Sequence, residues 1–192
     1  MKNLKDFLIE SSNDNKYILT DETKVVNGKT LHRIQAIKSF GDIKEGDLGG
    51  FIEKEYNLSQ DETCWVYDNA IVYGDAFVCN NVTIRNNAKV YGNAKIYNNA
   101  MIYDNAEVYD YAVLKDKVSI YGKAKVFDYV EIKDDVQVYE FAEISGKALL
   151  SDSAKVYGNA KVYGEALVYG NAEIYGNAKV NYRVYGNIKI DK

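Results

Sequence analysis

From Val66 to Val180 an aliphatic residue returns at every sixth position without an insertion, through Val72, Val78, Ile84, Val90 and on to Val168 and Ile174. That makes twenty hexads in a row. Four residues after each aliphatic comes a small side chain. Of the nineteen such slots from Ala70 to Ala178, fifteen are Ala and four are Val (Val82, Val118, Val130, Val136). An amphipathic helix repeats near 3.6 residues and a strand near 2, so a strict period of 6 fits neither alone. It fits a short strand plus a turn, three of which close one coil of a triangular prism. The aliphatic residue then points inward from each flat side and the small residue points inward at each corner. Gly, Asn and Asp fill the turn slots between them, as at Gly92-Asn93, Gly158-Asn159 and Gly176-Asn177. There a positive φ is expected. Stacked at roughly 4.8 Å per coil, twenty hexads give nearly seven coils and a rod about 32 Å long.

Composition agrees where it bears on this. The chain has 18 Tyr, 14 Gly and no Pro. Proline lacks the donor that a β-ladder needs, and tyrosine suits a half-buried strand surface. The expected class is therefore all-β.

The ends call for separate treatment, because a stack of coils exposes raw strand edges that must be covered. Residues 1–60 are expected to form an N-terminal capping region, 61–181 the repeat body and 182–192 a C-terminal capping strand. The cap begins with a candidate amphipathic helix carrying Leu4, Phe7 and Leu8. Two strand-like runs follow, YILTDETKVV and KTLHRIQAI, joined at Asn27-Gly28, a strong hairpin signal. After Val180 the repeat slips by two residues to Val184, and a last strand is expected through Ile188 and Ile190.

The pattern [Leu/Ile/Val]-x-x-x-[small]-x resembles the hexapeptide repeat of left-handed parallel β-helix proteins. The left hand is what this resemblance implies, since generic crossover sterics favour the right hand. The stretch LHRIQAIKSFGDIKEGDLGGFIEKEYNLSQDETCWVYDNA, followed by hexads, resembles more narrowly the YdcK-like hexapeptide proteins of bacteria and phages. That resemblance covers the cap from about residue 31 and the whole repeat region. It brings a transferase-like label inherited from the fold, and fold alone is a weak guide to function.

Acyl transfer, the first enzymatic expectation for such a fold, is typically served by a histidine base and a loop protruding between coils. The single histidine, His32, lies in the cap, and the hexads carry no insertion. Zinc bound by three histidines is excluded by the same count. Cys64 falls in the small-residue corner phase and should point inward, whereas Cys79 should point outward, so the two are not expected to pair. The turn aspartates Asp104, Asp110, Asp116, Asp128 and Asp134 lack the glycine-rich nonapeptide context of a calcium β-roll. GDLGG at 46–50 is too short for a phosphate loop. No catalytic, cofactor or metal residue is assigned.

What the repeat does present is tyrosine. The outward slot after each aliphatic residue is Tyr in twelve of twenty hexads. Residues 18 apart should stack on one face. The first face then reads Tyr67, Arg85, Tyr103, Tyr121, Tyr139, Tyr157, Tyr175, and the second Tyr73, Tyr91, Tyr109, Phe127, Ser145, Tyr163. The third is mixed: Cys79, Tyr97, Lys115, Lys133, Ser151, Tyr169. Stacked aromatics stabilise a β-ladder by themselves. They also make apolar stripes with polar tips, which protein interfaces favour. The candidate partner-binding residues are Tyr103, Tyr121, Tyr139, Tyr157, Tyr175, Tyr73, Tyr91, Tyr109 and Phe127.

Net charge is −4, with ten acidic against five basic residues between Asp104 and Glu143. That balance argues against direct nucleic-acid binding, and an acidic rod can instead imitate a nucleic-acid backbone. MKNLKDFLIESSND lacks a signal peptide's apolar core, and no apolar run is long enough to span a bilayer. A cytoplasmic location is therefore expected. The combined expectation is a non-catalytic protein-binding or scaffold module whose partner is another copy of the chain or a bacterial protein. In its sharpest form it is a phage-encoded inhibitor of a host defence protein. The alternatives are a hexapeptide acyltransferase-like enzyme and a purely structural homo-oligomer.

Overall fold

A computed structural model describes residues 15–192; the candidate helix at Leu4–Leu8 lies outside them. The chain is an all-β parallel solenoid of about eight turns, with one 3-10 turn at Glu55–Asn57 as its only described helical element. Strands of two residues begin at β4 (Trp65–Val66), β5 (Ile71–Val72) and β6 (Phe77–Val78) and return every six residues to β23 (Lys179–Val180). Each as far as Lys161–Val162 pairs in parallel with the strand 18 residues on: Trp65 with Thr83, Ile71 with Lys89, Phe77 with Lys95, and finally Lys161 with Lys179. Three sheets result, one for each side of the prism. The sixth-position aliphatics from Val66 to Val180 are fully buried, and so are the small corner residues from Ala70 to Ala178. A larger corner side chain would have no space in a core this narrow.

The ladder also runs through the corners, where Tyr67 N donates to Ile84 O (2.8 Å) and Asn69 N to Asn86 O (3.0 Å). Each corner is a two-residue turn, closed at the first one by Ala70 N donating to Tyr67 O at 3.0 Å. Only the first turn residue has positive φ, as at Asp68 (53°), Gly92 (72°) and Gly158 (71°). Asn93, Asn159 and Asn177 do not, so the expected positive φ holds for one residue of each pair.

The cap covers all three exposed edges at the N-terminal end. β1 (Tyr17–Val26) and β2 (Lys29–Ala36) form the hairpin, with Asn27 (φ 50°) and Gly28 (φ 76°) at its tip. β3 (Leu48–Ile52) pairs antiparallel with β2 and parallel with β5, which closes the first edge. Leu58 bridges to Val78 at the second. At the third, Tyr17 and Phe40 pack edge-on against Trp65, with ring centres 6.0 and 5.4 Å away. The glycines of GDLGG permit this docking. A Cβ on Gly50 would lie 2.5 Å from Ala70 O, and one on Gly49 2.6 Å from Val66 O.

At the other end β24 (Arg183–Val184) pairs with the strand 16 residues earlier, not 18, and β25 (Lys189–Ile190) does the same. The two-residue slip is therefore a shortened last coil. Ile188 lies outside β25 and is exposed.

Candidate interface

The nine singled-out aromatics fall into two continuous stacks. On one face Tyr103, Tyr121, Tyr139, Tyr157 and Tyr175 have ring centres 4.8, 4.9, 4.9 and 5.2 Å apart, with planes within 9° of parallel. On the next, Tyr73, Tyr91, Tyr109 and Phe127 follow at 5.0, 4.8 and 5.0 Å. Register dictates this: side chains in the same hexad slot are held one coil apart, near the distance at which aromatic rings stack. The rings therefore cover one another's faces and turn their edges and hydroxyls outward. Most of these side chains are half-buried, and Tyr73 is buried beneath the cap. The stripe offers a row of phenol tips at the coil spacing, not a flat aromatic face.

Burial raises the phenol pKa values of Tyr103, Tyr121, Tyr139 and Tyr157 in the first stack. At Tyr139, burial and the neighbouring Tyr121 and Tyr157 push it to about 12. These four phenols are thus uncharged at neutral pH, and their tips both donate and accept hydrogen bonds. A few are committed: Tyr157 Oη donates to Glu173 (3.3 Å) and Tyr91 Oη to Glu107 (3.4 Å).

Sequence reasoning missed an aromatic pair at the corner. Tyr111 and Tyr129 stack at 4.9 Å in the second turn slot, beside Tyr109 and Phe127, and are 51 % and 63 % exposed. On another corner Phe141 is 55 % exposed beneath Lys123 Nζ, 5.3 Å from its ring centre. That slot is more often Asn, so the aromatic residues in it, and the spacing of 18 between two of them, were the available signals.

The acidic mid-section is largely engaged in the fold. Asp104, Asp110, Asp116, Asp128, Asp134 and Glu140 each accept a hydrogen bond from the backbone N–H one coil on, at 2.8–3.4 Å. Those N–H groups belong to the positive-φ residues, which the parallel ladder passes over. Glu107, Glu131 and Glu143 pair with Lys89, Lys115 and Lys161.

Neither cysteine is paired: Cys64 is buried, pointing inward as its phase requires, and Cys79 is half-exposed. Sequence reasoning missed the partner of Cys64. The buried Lys16 ammonium lies 3.2 Å from its Sγ and donates to the carbonyls of Asp61 (2.9 Å), Cys64 (3.0 Å) and Glu62 (3.3 Å). Burial pulls the Lys16 pKa down and pushes the Cys64 thiol up. Lys16 thus caps loose carbonyls where the cap enters the first coil. His32 Nδ1 is 3.1 Å from Thr20 O across the hairpin, a contact that serves the strand pairing. Among the described residues no helix is long and apolar enough to cross a membrane.

No family model matches the chain. Over 42 residues it is 48 % identical to a protein of Escherichia coli (strain K12) described as "Uncharacterized acetyltransferase YdcK". The matched segment is 21 % of this chain and 13 % of that relative, so the likeness is to a small part of a longer protein.

Proposed function

We propose that the chain is a left-handed, non-catalytic β-helix that binds a protein partner through its aromatic stripes. The observation that carries this is the pairing of the Tyr73–Phe127 stack with the exposed Tyr111 and Tyr129 at its corner. A stack needs ring faces for stability, which phenylalanine would supply equally well. Tyrosine in most rungs keeps a hydroxyl at the surface, and rings as exposed as Tyr129 contribute little to the core. Amphipathic rings of low conformational entropy are what interfaces concentrate. Inhibition of a bacterial defence enzyme is the sharper form, supported by the phage-like sequence resemblance. The acidic surface adds less to it, because most of those carboxylates already hold turns or lysines.

The test is affinity capture from bacterial lysate with the native protein and a Tyr121→Ser/Tyr139→Ser/Tyr157→Ser variant, both checked for equal folding. A single protein retained by the native form alone is expected. Equal retention by both forms removes the first stack from the reading. Retention by neither returns the structural homo-oligomer, which subunit counting then decides.

The 42-residue likeness favours one other reading, an acyltransferase-like enzyme. His32 is engaged within the hairpin, so such an enzyme would need a base from elsewhere. Saturable acyl-coenzyme A binding by the purified protein would support it.

A further inference from the structure

Arg85 and Ser145 each sit between aromatic neighbours one coil away on both sides. The first gap is filled: the Arg85 guanidinium lies over the Tyr67 ring, 4.1 Å from its centre, and reaches toward Asp42 at 3.9 Å. The second holds no ring, only a serine. Ser145 falls between Phe127 and Tyr163 on the second face. Phe127 is covered by Tyr109 on one side only. Two rungs put the flanking positions about 10 Å apart, twice the coil spacing, which leaves room for one more ring between them. The adjoining corner is equally slight, because Gly146 stacks on Gly164. Tyr163, 38 % exposed, is the most exposed aromatic of its face's ladder slots.

A groove beside this gap, on its Tyr163 side, has a volume of about 390 Å³ and is lined by Glu143, Ser145, Lys161, Tyr163 and Lys179. Its charge is uneven. Glu143 is engaged by Lys161 at 2.6 Å. Lys179 sits in register beside Lys161 and has no ion pair among the described residues. The missing rung and the groove that continues from it therefore offer an aromatic slot with one uncompensated ammonium at its C-terminal side.

We infer that the missing rung at Ser145 is a binding site for a small planar aromatic anion, whose ring enters between Phe127 and Tyr163 while its acid group meets Lys179. The site is independent of the protein-binding reading, since it needs neither stripe to meet a protein. A ring in the slot reproduces the native stacking geometry, and the lysine selects against neutral and cationic rings. Aryl carboxylates and nucleoside monophosphates share this chemistry.

The experiment is saturation-transfer NMR on the full chain with indole-3-acetate, adenosine monophosphate and tryptamine as separate probes. At least one anionic probe should bind saturably and tryptamine should not; which anion binds identifies the source of the chemistry. Ser145→Tyr, which supplies the missing ring, should weaken that probe by roughly two- to tenfold, the scale of one lost aromatic stack. The same variant should melt higher than the native protein, which verifies that it folds. Ser145→Ala should bind as the native chain does, and Lys179→Glu should weaken binding several-fold. No saturable binding of either anion, equal binding of tryptamine, or unchanged binding by a folded Ser145→Tyr variant would each overturn the assignment.

Discussion

At the scale of single residues, the turns set the stringency of this fold. Every corner from Asp68 to Gly176 holds one residue at positive φ, and all but one of these are Gly, Asn or Asp. Glu140 is the exception, held at φ 60° with no short side chain to ease the conformation. It is retained with a purpose, since its carboxylate accepts the Gly158 N–H at 2.9 Å. Aspartate does the same two corners earlier, Asp128 to Gly146 N at 2.8 Å, in a conformation it tolerates better. Glu140→Asp should therefore stabilise the protein by roughly 0.5–1 kcal/mol, read as a shift in the urea midpoint at constant slope. Asp128→Ala should do the reverse, by roughly 1–3 kcal/mol, because it removes both the acceptor and the left-handed tolerance. A neutral Asp128→Ala would mean that water serves the Gly146 N–H as well as the carboxylate does.

At the scale of the element, the unit is a stack one coil wide, and position within it sets its worth. Tyr139 has a ring on both sides, whereas Tyr175 at the end of its stack has one. Replacement by leucine should cost about 1–3 kcal/mol at Tyr139 and about half that at Tyr175, if each stacked contact contributes about 0.5–1.5 kcal/mol. Thermal unfolding of the two single variants and the double variant measures this. The stack also fixes the alkaline behaviour. Burial raises the Tyr139 phenol to about 12, and it raises Tyr103 and Tyr121 as well. Groups with raised folded pKa values bind more protons folded than unfolded above pH 10, so their contribution is complete below that pH. It is lost as pH climbs from about 10 to about 12. Tyrosinate absorbance should rise in step with loss of the β-sheet circular dichroism signal across that window. A stack that titrates at the unperturbed value while still folded would show that its hydroxyls are more freely hydrated than their burial implies. Which residues stack was legible from the spacing of 18. How the rings face was not, because the outward slot reads the same whether rings lie flat on a sheet or stand on edge. Tyr111 and Tyr129 escaped because they occupy a turn slot where a solvated polar residue is the ordinary expectation. Lys16 escaped because only the folded cap brings its ammonium to carbonyls more than forty residues away.

At the scale of the whole molecule, the regular body was legible and the cap less so, for one physical reason. Each coil meets only its two neighbours, so the body is a local pattern written repeatedly, whereas the cap depends on contacts made once. The glycines at 49 and 50 show the difference. In sequence they resemble a loop, and only the docked structure shows that neither can carry a Cβ. The same one-dimensional organisation predicts how damage spreads. Gly50→Ala would force β3 away from β5, since the new methyl group would meet Ala70 O at 2.5 Å and Val66 Cγ1 at 2.7 Å. Overpacking of this kind costs about 1–3 kcal/mol, and here it falls on the contact that closes the first strand edge. Coils far along the rod touch none of these atoms. Amide hydrogen exchange should therefore accelerate in the strands Trp65–Val66, Ile71–Val72 and Phe77–Val78 and fade over the next coil or two. Protection from Lys125–Val126 onward should be unchanged. Uniform acceleration along the rod would show instead that the coils open as one cooperative unit, with the cap acting as the nucleus of the fold. Fading acceleration would establish it as a cover for three strand edges, which is the role its contacts with Ile71, Trp65 and Val78 describe.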